Sequence, residues 1–151
     1  MFIPDEDYRK ILKVMPILCV DCLIVHENKC LLLRRTNEPE KGHYWFPGGR
    51  VFKGEVIRNT ALRKAFDEVN LDCRYDKIIS IEETIFKKEG EMECDIHTVN
   101  ICCGLFARNI NGLTVDKYHD SYIWVDLDQV KKLDLHLSVF TPLVKYLEQI
   151  S

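Results

Sequence analysis

Tyr44-Trp45-Phe46-Pro47-Gly48-Gly49-Arg50, then Glu55, then Arg63-Lys64-Ala65-Phe66-Asp67-Glu68-Val69-Asn70-Leu71, is the stretch that decides the fold. An aromatic run ends in a proline and two glycines, a turn that needs backbone freedom. A loop follows, and then a helix over about residues 55–69. There the apolar Leu62, Ala65, Phe66 and Val69 recur at i, i+3, i+4 and i+7, the stripe of a helix packed on a sheet. Lys64, Asp67 and Glu68 share the neighbouring face, where carboxylates offer hard oxygen ligands on one side of an ion. Pairs of Arg63 with Asp67 and of Lys64 with Glu68, each one turn apart, are equally what a solvated helix face shows. The specificity lies in their fixed spacing from Pro47-Gly48-Gly49 and Glu55.

Upstream, residues 5–14 read as a short helix with Asp5 as its N-cap and Pro16 as its stop. Residues 17–25 and 30–35 read as strands around His26-Glu27-Asn28-Lys29, a hairpin. Downstream, 77–87 and 93–108 are long β-rich segments separated by Gly90, and 121–125 adds a strand. Amphipathic helices over 127–133 and 139–150 complete the order. This succession predicts an α/β (α+β) fold, a mixed β-sheet sandwiched between helices. Without repeats, linkers or low-complexity tracts, residues 1–151 are expected to form a single domain.

Composition narrows the partners. Hydrophobic residues make up 46% of the chain, enough for a core, while 30% charged residues leave a net charge of only -3. That balance argues against a nucleic acid polymer and leaves room for a small anion held by a few local arginines. The seven cysteines are an odd count, several in apolar runs, and fit free thiols in a reducing cytoplasm. Cys19-x-x-Cys22 has metal-like spacing, but strand residues three apart point to opposite faces, which favours buried thiols over zinc. No apolar run reaches membrane-spanning length, and the N-terminal residues lack a basic segment followed by an apolar one. No membrane partner is expected.

At its fixed spacing, Gly49-x5-Glu55-x7-Arg63-Lys64-Ala65-Phe66-Asp67-Glu68-Val69-Asn70-Leu71 resembles the Nudix box, Gly-x5-Glu-x7-Arg-Glu-U-x-Glu-Glu-x-Gly-U with U aliphatic. Lys64 and Asp67 stand where the pattern has Glu, and Asn70 where it has its last Gly. The resemblance implies a Nudix fold whose loop and helix hold a divalent metal and a diphosphate. It gives Glu68 as side-chain metal ligand, Gly48 as ligand through its backbone carbonyl, and Glu55–Arg63 as a structural pair bracing the loop. Asp67 matches a position that often ligates further metal, and it can equally pair with Arg63 one turn away. Lys64 places a positive charge beside Glu68 and disfavours a cluster of two or three ions. Mg2+ is the expected cofactor, with Mn2+ as the alternative.

Beyond the box the chain resembles the GDP-mannose mannosyl hydrolases, a Nudix branch that itself lacks part of the carboxylate set. The likeness rests on Met1-Phe2-Ile3 with Glu6-Asp7-Tyr8, on Asp21, on Arg35-Thr36-Asn37, on residues 42–51, and on His119-Asp120-x-Tyr122-x-Trp124. It implies a nucleotide-sugar substrate, GDP-mannose or GDP-glucose, attacked by water at the anomeric carbon to release GDP and free sugar. It also implies a homodimer. Arg35 and Arg50 would meet phosphate oxygens with paired donors. Phe2, Ile3 and Tyr8 would contact substrate, Tyr8 at the nucleobase. His119 would be the general base, since imidazole ordinarily titrates near neutrality. Asp21 interrupts an apolar strand and must find a partner or face a cavity, here the sugar or phosphate pocket beside Arg35. Taken without the likeness, Tyr8 is helix packing, the arginines are ordinary surface, and a lone histidine is more often structural.

Two departures bear on the chemistry. Tyr118 stands where the branch places a Gln that ligates metal, and no histidine occurs between His43 and His97, where the branch carries a second one. His97 falls in the following strand. Two other functions therefore stand beside the leading one. One is a pyrophosphohydrolase attacking phosphorus of a nucleotide sugar or nucleoside triphosphate, and the other is a silent nucleotide-sugar-binding module.

Overall fold

The computed structural model describes residues 2–151, so Met1 of the N-terminal likeness lies outside the described residues. Every strand is registered, directly or through one neighbour, on β1 (Ile17–His26). Glu27 and Asn28 follow it at φ 50° and 61°, the two left-handed positions of a tight hairpin turn. β2 (Lys29–Arg35) then returns antiparallel, but it pairs with β1 only at Val25 with Cys30 and His26 with Lys29. Beyond those pairs the strands part, and the deciding stretch fills the gap. β3 (Tyr44–Trp45) pairs with β2, Leu33 opposite Trp45, and β4 (Gly48–Arg50) pairs with β1, Asp21 opposite Gly48. Only glycine fits position 48, because a Cβ there would lie 2.2 Å from the Val20 carbonyl oxygen.

The helix that follows is α2 (Ile57–Val69), and two long strands come after it, β5 (Cys73–Phe86) and β6 (Ile96–Ala107). β6 runs parallel along the other side of β1, from Ile17 opposite Thr98 to Val25 opposite Phe106, and β5 pairs with β6 antiparallel. β7 (His119–Val125) pairs antiparallel with β2. The sheet is mixed, as the order of elements predicts.

Strand alternation gives the sheet two apolar faces. Val20, Cys22, Ile24, Leu31 and Leu33 pack against Ala61, Ala65 and Val69 of α2. Leu23, Val25, Cys30 and Leu32 pack against Val139, Leu143, Tyr146 and Leu147 of α4 (Leu137–Ile150), which the short α3 (Leu127–Val130) precedes. Each of the fully buried Val, Leu and Ile side chains among these contributes about 1.5–3 kcal/mol relative to exposure. On the α4 face, the near half of β1 is not used for core: Ile17, Cys19 and Asp21 line a cavity bordered by Tyr8 and Leu12 of α1 (Asp5–Val14).

Several expectations are corrected. Pro4, not Asp5, is the N-cap of α1; its carbonyl accepts the Tyr8 N–H at 3.0 Å, and Asp5 begins the helix. With Glu6 and Asp7, Asp5 complements the positive N-terminal end of the helix dipole. Phe66 does not join the α2 core stripe and is exposed. The buried stripe is Ala61, Ala65 and Val69, spaced by four, and Phe66 lies one residue, a turn of about 100°, away from it. Small alanines let the helix approach the sheet closely. α2 begins two residues after Glu55, α3 stops at Val130, and β7 starts at His119 rather than after it.

Gly104 of β6 is where α4 approaches the sheet most tightly, since a Cβ there would meet the Tyr146 ring at 2.4 Å. Gly104→Ala is expected to destabilise the protein by about 1–3 kcal/mol. Urea unfolding at neutral pH reads the change, and an unchanged midpoint would show that α4 can move aside.

Candidate active site

The loop between β4 and α2 is organised by one carboxylate. Glu55 accepts from Arg63 Nε at 2.8 Å and Nη2 at 3.0 Å, from the Thr60 hydroxyl at 2.7 Å and from the Phe52 N–H at 3.2 Å. Arg63 also donates to the Arg50 carbonyl at 3.2 Å and stacks on the Phe52 ring at 3.9 Å. The bidentate Arg63 contact, first among these, holds the Glu55 carboxyl down at a pKa of about 2. Asp67 lies 3.5 Å from Arg63 and is half exposed. Of the two roles open to Asp67, the structure shows the ion pair.

Glu68, a residue further round the helix, is buried and points the other way. Its Oε2 accepts the Gly48 N–H at 3.0 Å, and its Oε1 lies 3.2 Å from Lys64 Nζ. Burial pushes its pKa up, with Lys64 and the Gly48 N–H opposing. Glu68, Asp116 and His119 bring ligand atoms within 4.8 Å of one another. Two carboxylates and an imidazole at that separation fit a divalent cation, and Asp67 and Cys19-x-x-Cys22 are not part of the group.

Asp116 does further work in the turn before β7. Its Oδ1 accepts the Tyr118 N–H at 3.1 Å and the His119 Nδ1–H at 2.6 Å, and its carbonyl accepts the His119 N–H at 3.3 Å. A side chain that caps its own turn in this way is the habit of aspartate. With Nδ1 donating to a carboxylate, the lone pair of the neutral ring is on Nε2. Register brings His119 opposite Arg35 of β2. Tyr118 is turned outward, half exposed, with Lys117 over its ring.

The cavity beside this cluster is roughly 230 Å³, and Arg35, Gly48 and Gly49 are in its wall. Arg35 donates to the Pro39 carbonyl at 2.7 Å and to Asn37 Oδ1 at 3.3 Å; its burial lowers its pKa, against the pull of Glu68 and Asp21. Asp21 is 3% exposed and accepts from Asn100 Nδ2 at 3.0 Å. Its direct partners are Asn100 and the Trp45 indole rather than Arg35, which acts on it only through its charge. Burial raises the Asp21 pKa to about 7, the Asn100 and Trp45 hydrogen bonds opposing. Phe2, Ile3, Tyr8, Arg50 and Phe52 line a second cavity, with Tyr8 common to both. Arg50 lies over the Phe52 and Tyr8 rings at 4.9 and 5.6 Å.

A sequence profile of the Nudix domain matches residues 15–144, which include the sheet, α2 and the Glu68–Asp116–His119 group. The chain belongs to the Nudix family. It is 40% identical over 84 residues to the low-salt glycan biosynthesis protein Agl8 of Haloferax volcanii, a match to 56% of this chain and 54% of that one. It is 32% identical over 80 residues to an ADP-ribose pyrophosphatase of Methanocaldococcus jannaschii, covering 52% and 47%. The matched stretch spans about half the length of these curated relatives. Among solved structures, a MutT protein from Methanosarcina mazei superposes with a TM-score of 0.71 at 20% identity, over 89% of this chain and 95% of that one. The Nudix domain of Shewanella oneidensis NrtR, solved with ADP-ribose, gives 0.64 at 18%, over 99% and 100%. These likenesses agree with the Nudix fold.

The Nudix helix keeps its geometry despite its altered box. Asn70 takes the left-handed C-cap at φ 57°, a conformation that asparagine tolerates next best after glycine, and its side chain donates to the Gly112 carbonyl at 3.1 Å. Among the expected site residues, Glu68 and His119 come together, as do Phe2, Ile3, Tyr8 and Arg50. His97 sits in β6, hydrogen-bonded to Glu83 at 2.9 Å, away from both groups. Sequence reading missed Asp116, Asn100 and Trp45. Asp116 left a signal, an aspartate three residues before His119 at the head of a turn. Asn100 left none.

Two pH dependences follow from these carboxyls. The folded-state pKa of Glu55, about 2 against an ordinary 4.5, gives stability that is present above about pH 4.5 and lost as pH falls toward 2. Glu55→Gln is expected to cost about 1–3 kcal/mol at neutral pH, and the gap from wild type should close in acid, read by urea unfolding across pH. Asp21 has the opposite sign. With a folded pKa of about 7 against 3.8, its contribution is full in acid and lost as pH rises through 7, so wild type should lose stability relative to Asp21→Asn between those values. A melting-temperature difference independent of pH would mean that Asp21 is not held protonated.

Proposed function

We propose that the protein is a metal-dependent nucleotide-sugar hydrolase that cleaves GDP-mannose or GDP-glucose to GDP and free sugar, by attack of water at the anomeric carbon. The observation that carries this reading is the Asp116–His119 pair beside Glu68, a base outside the box, where Lys64 has displaced a carboxylate. The name of the Haloferax volcanii relative, a glycan biosynthesis protein, supports a sugar-bearing substrate.

Glu68, Asp116 and the Gly48 carbonyl would hold Mg2+ or Mn2+, and a bound ion there would supply charge neutralisation on the leaving diphosphate. Arg35 and Arg50 would bind that diphosphate from the two cavities they line. Tyr8, with Phe2 and Ile3, would stack on the nucleobase. Asp116 holds the Nδ1 proton of His119, so Nε2 can take a proton from water at the sugar carbon. Asp21 and Asn100 would meet sugar hydroxyls in the cavity they line beside Arg35, whose other walls are largely apolar. Glu55 and Arg63 act by holding the loop. Residues 1–151 would work as one domain, as a homodimer, in a reducing cytoplasm that suits seven free cysteines.

A second reading is pyrophosphohydrolysis at phosphorus, favoured by the name of the Methanocaldococcus jannaschii relative. Hydrolysis of GDP-mannose in 18O water separates the two. Label in the sugar, with GDP as the other product, is expected; label in phosphate, with GMP and sugar phosphate, would support the second reading instead. His119→Ala should lower turnover by about 10²–10⁴-fold. Tight binding of GDP-mannose with no turnover at saturating Mg2+ would leave only a binding module.

A further inference from the structure

Lys64 is not placed like an ordinary helix-surface lysine. The same i, i+4 pairing occurs in α1 between Glu6 and Lys10, where the side chains are 83% and 70% exposed. The Lys64–Glu68 pair is 20% and 9% exposed. An exposed pair of this kind adds little, and a buried one loses most of its attraction to desolvation, so stability alone does not account for the placement. The lysine stem lies against β4: a Cβ on Gly49 would be 2.8 Å from Lys64 Cε and 3.2 Å from its Nζ. Burial and the Asp21 charge push the Cys19 thiol up to about 12, and the Arg50 and Lys64 charges oppose them, which places the ammonium near Cys19 in the wall of the Asp21 cavity. Competing anions nearby are already engaged, Glu55 and Asp67 by Arg63.

We propose that Lys64 is a built-in cation of the diphosphate site, held by Glu68 against Gly49 so that its ammonium binds a phosphate oxygen directly. The proposal rests on the reading of β4 and the loop after it as a diphosphate cradle. An ammonium has three donors, and Glu68 occupies one. The remaining two are available to an anion lying over Gly49. The lysine thereby supplies, as a fixed charge, part of the neutralisation that a further metal ion would give. Its presence makes one part of ligand binding independent of metal.

Inorganic pyrophosphate titrated calorimetrically in excess EDTA tests this without turnover. Wild type should bind, Lys64→Met should bind about tenfold more weakly or worse, and Lys64→Arg should keep most of the affinity. Lys64→Gln repeats the measurement in a variant that retains a polar side chain beside Glu68, and thermal unfolding checks that each variant is folded. Equal affinity in wild type and Lys64→Met, or no metal-free binding by wild type, overturns the proposal. Turnover of GDP-mannose by a protein with either result would leave the proposed function standing, whereas Lys64-dependent pyrophosphate binding without sugar release would do the reverse.

Discussion

The pairing of Gly48–Arg50 with β1 is the contact on which the rest of the site depends. Because β1 and β2 separate after only two residue pairs, a wedge of sheet edge is left open, and the chain returns to fill it. The close approach of Gly48 to Val20 and Asp21 tolerates no side chain. That insertion sets the Gly48 N–H on Glu68, brings the Trp45 indole to Asp21, and leaves Ile17, Cys19 and Asp21 of β1 facing a cavity. A sheet that stayed zipped along β1 and β2 would have no such opening.

Charge is arranged in two regimes around that wedge. On the loop side, Glu55, Arg63 and Asp67 form a partly exposed network in which every group has a close partner of opposite sign, and its work is to fix the loop. On the cavity side, Asp21 and Glu68 are buried and Arg35 is partly so, and the loss of hydration shifts the pKa of each in the direction that favours its neutral form. Groups held in that state respond strongly to an arriving charge. Lys64 stands at the border between the two regimes.

Much of this was legible because it is local. The hairpin at Glu27-Asn28, the helix after the two glycines and the packing of Cys22 as a buried thiol are written in short-range pattern, and the Glu55–Arg63 brace is what the resemblance to the Nudix box implies. The misreadings have equally plain causes. The i, i+3, i+4, i+7 period puts Phe66 on the core stripe, whereas the helix packs on the sheet through Ala61, Ala65 and Val69, spaced by four, and leaves Phe66 exposed. Aspartate is a good N-cap, but Pro4 occupies the cap position with an extended backbone, and its carbonyl accepts the Tyr8 N–H.

The sequence by itself determined the family, the mixed sheet between helices, and the residue types available for chemistry, since box spacing and periodicity survive in one dimension. Only the tertiary structure decided which of those residues meet. Asp116 reaches Glu68 because β7 pairs with β2 and carries its leading turn to the α2 side; 48 residues of chain separate the two carboxylates. Asn100 reaches Asp21 because β6 lies parallel beside β1, a pairing of residues 79 apart that leaves no trace in local pattern. Long-range register is set by the burial of both sheet faces at once, and that is a property of the whole fold.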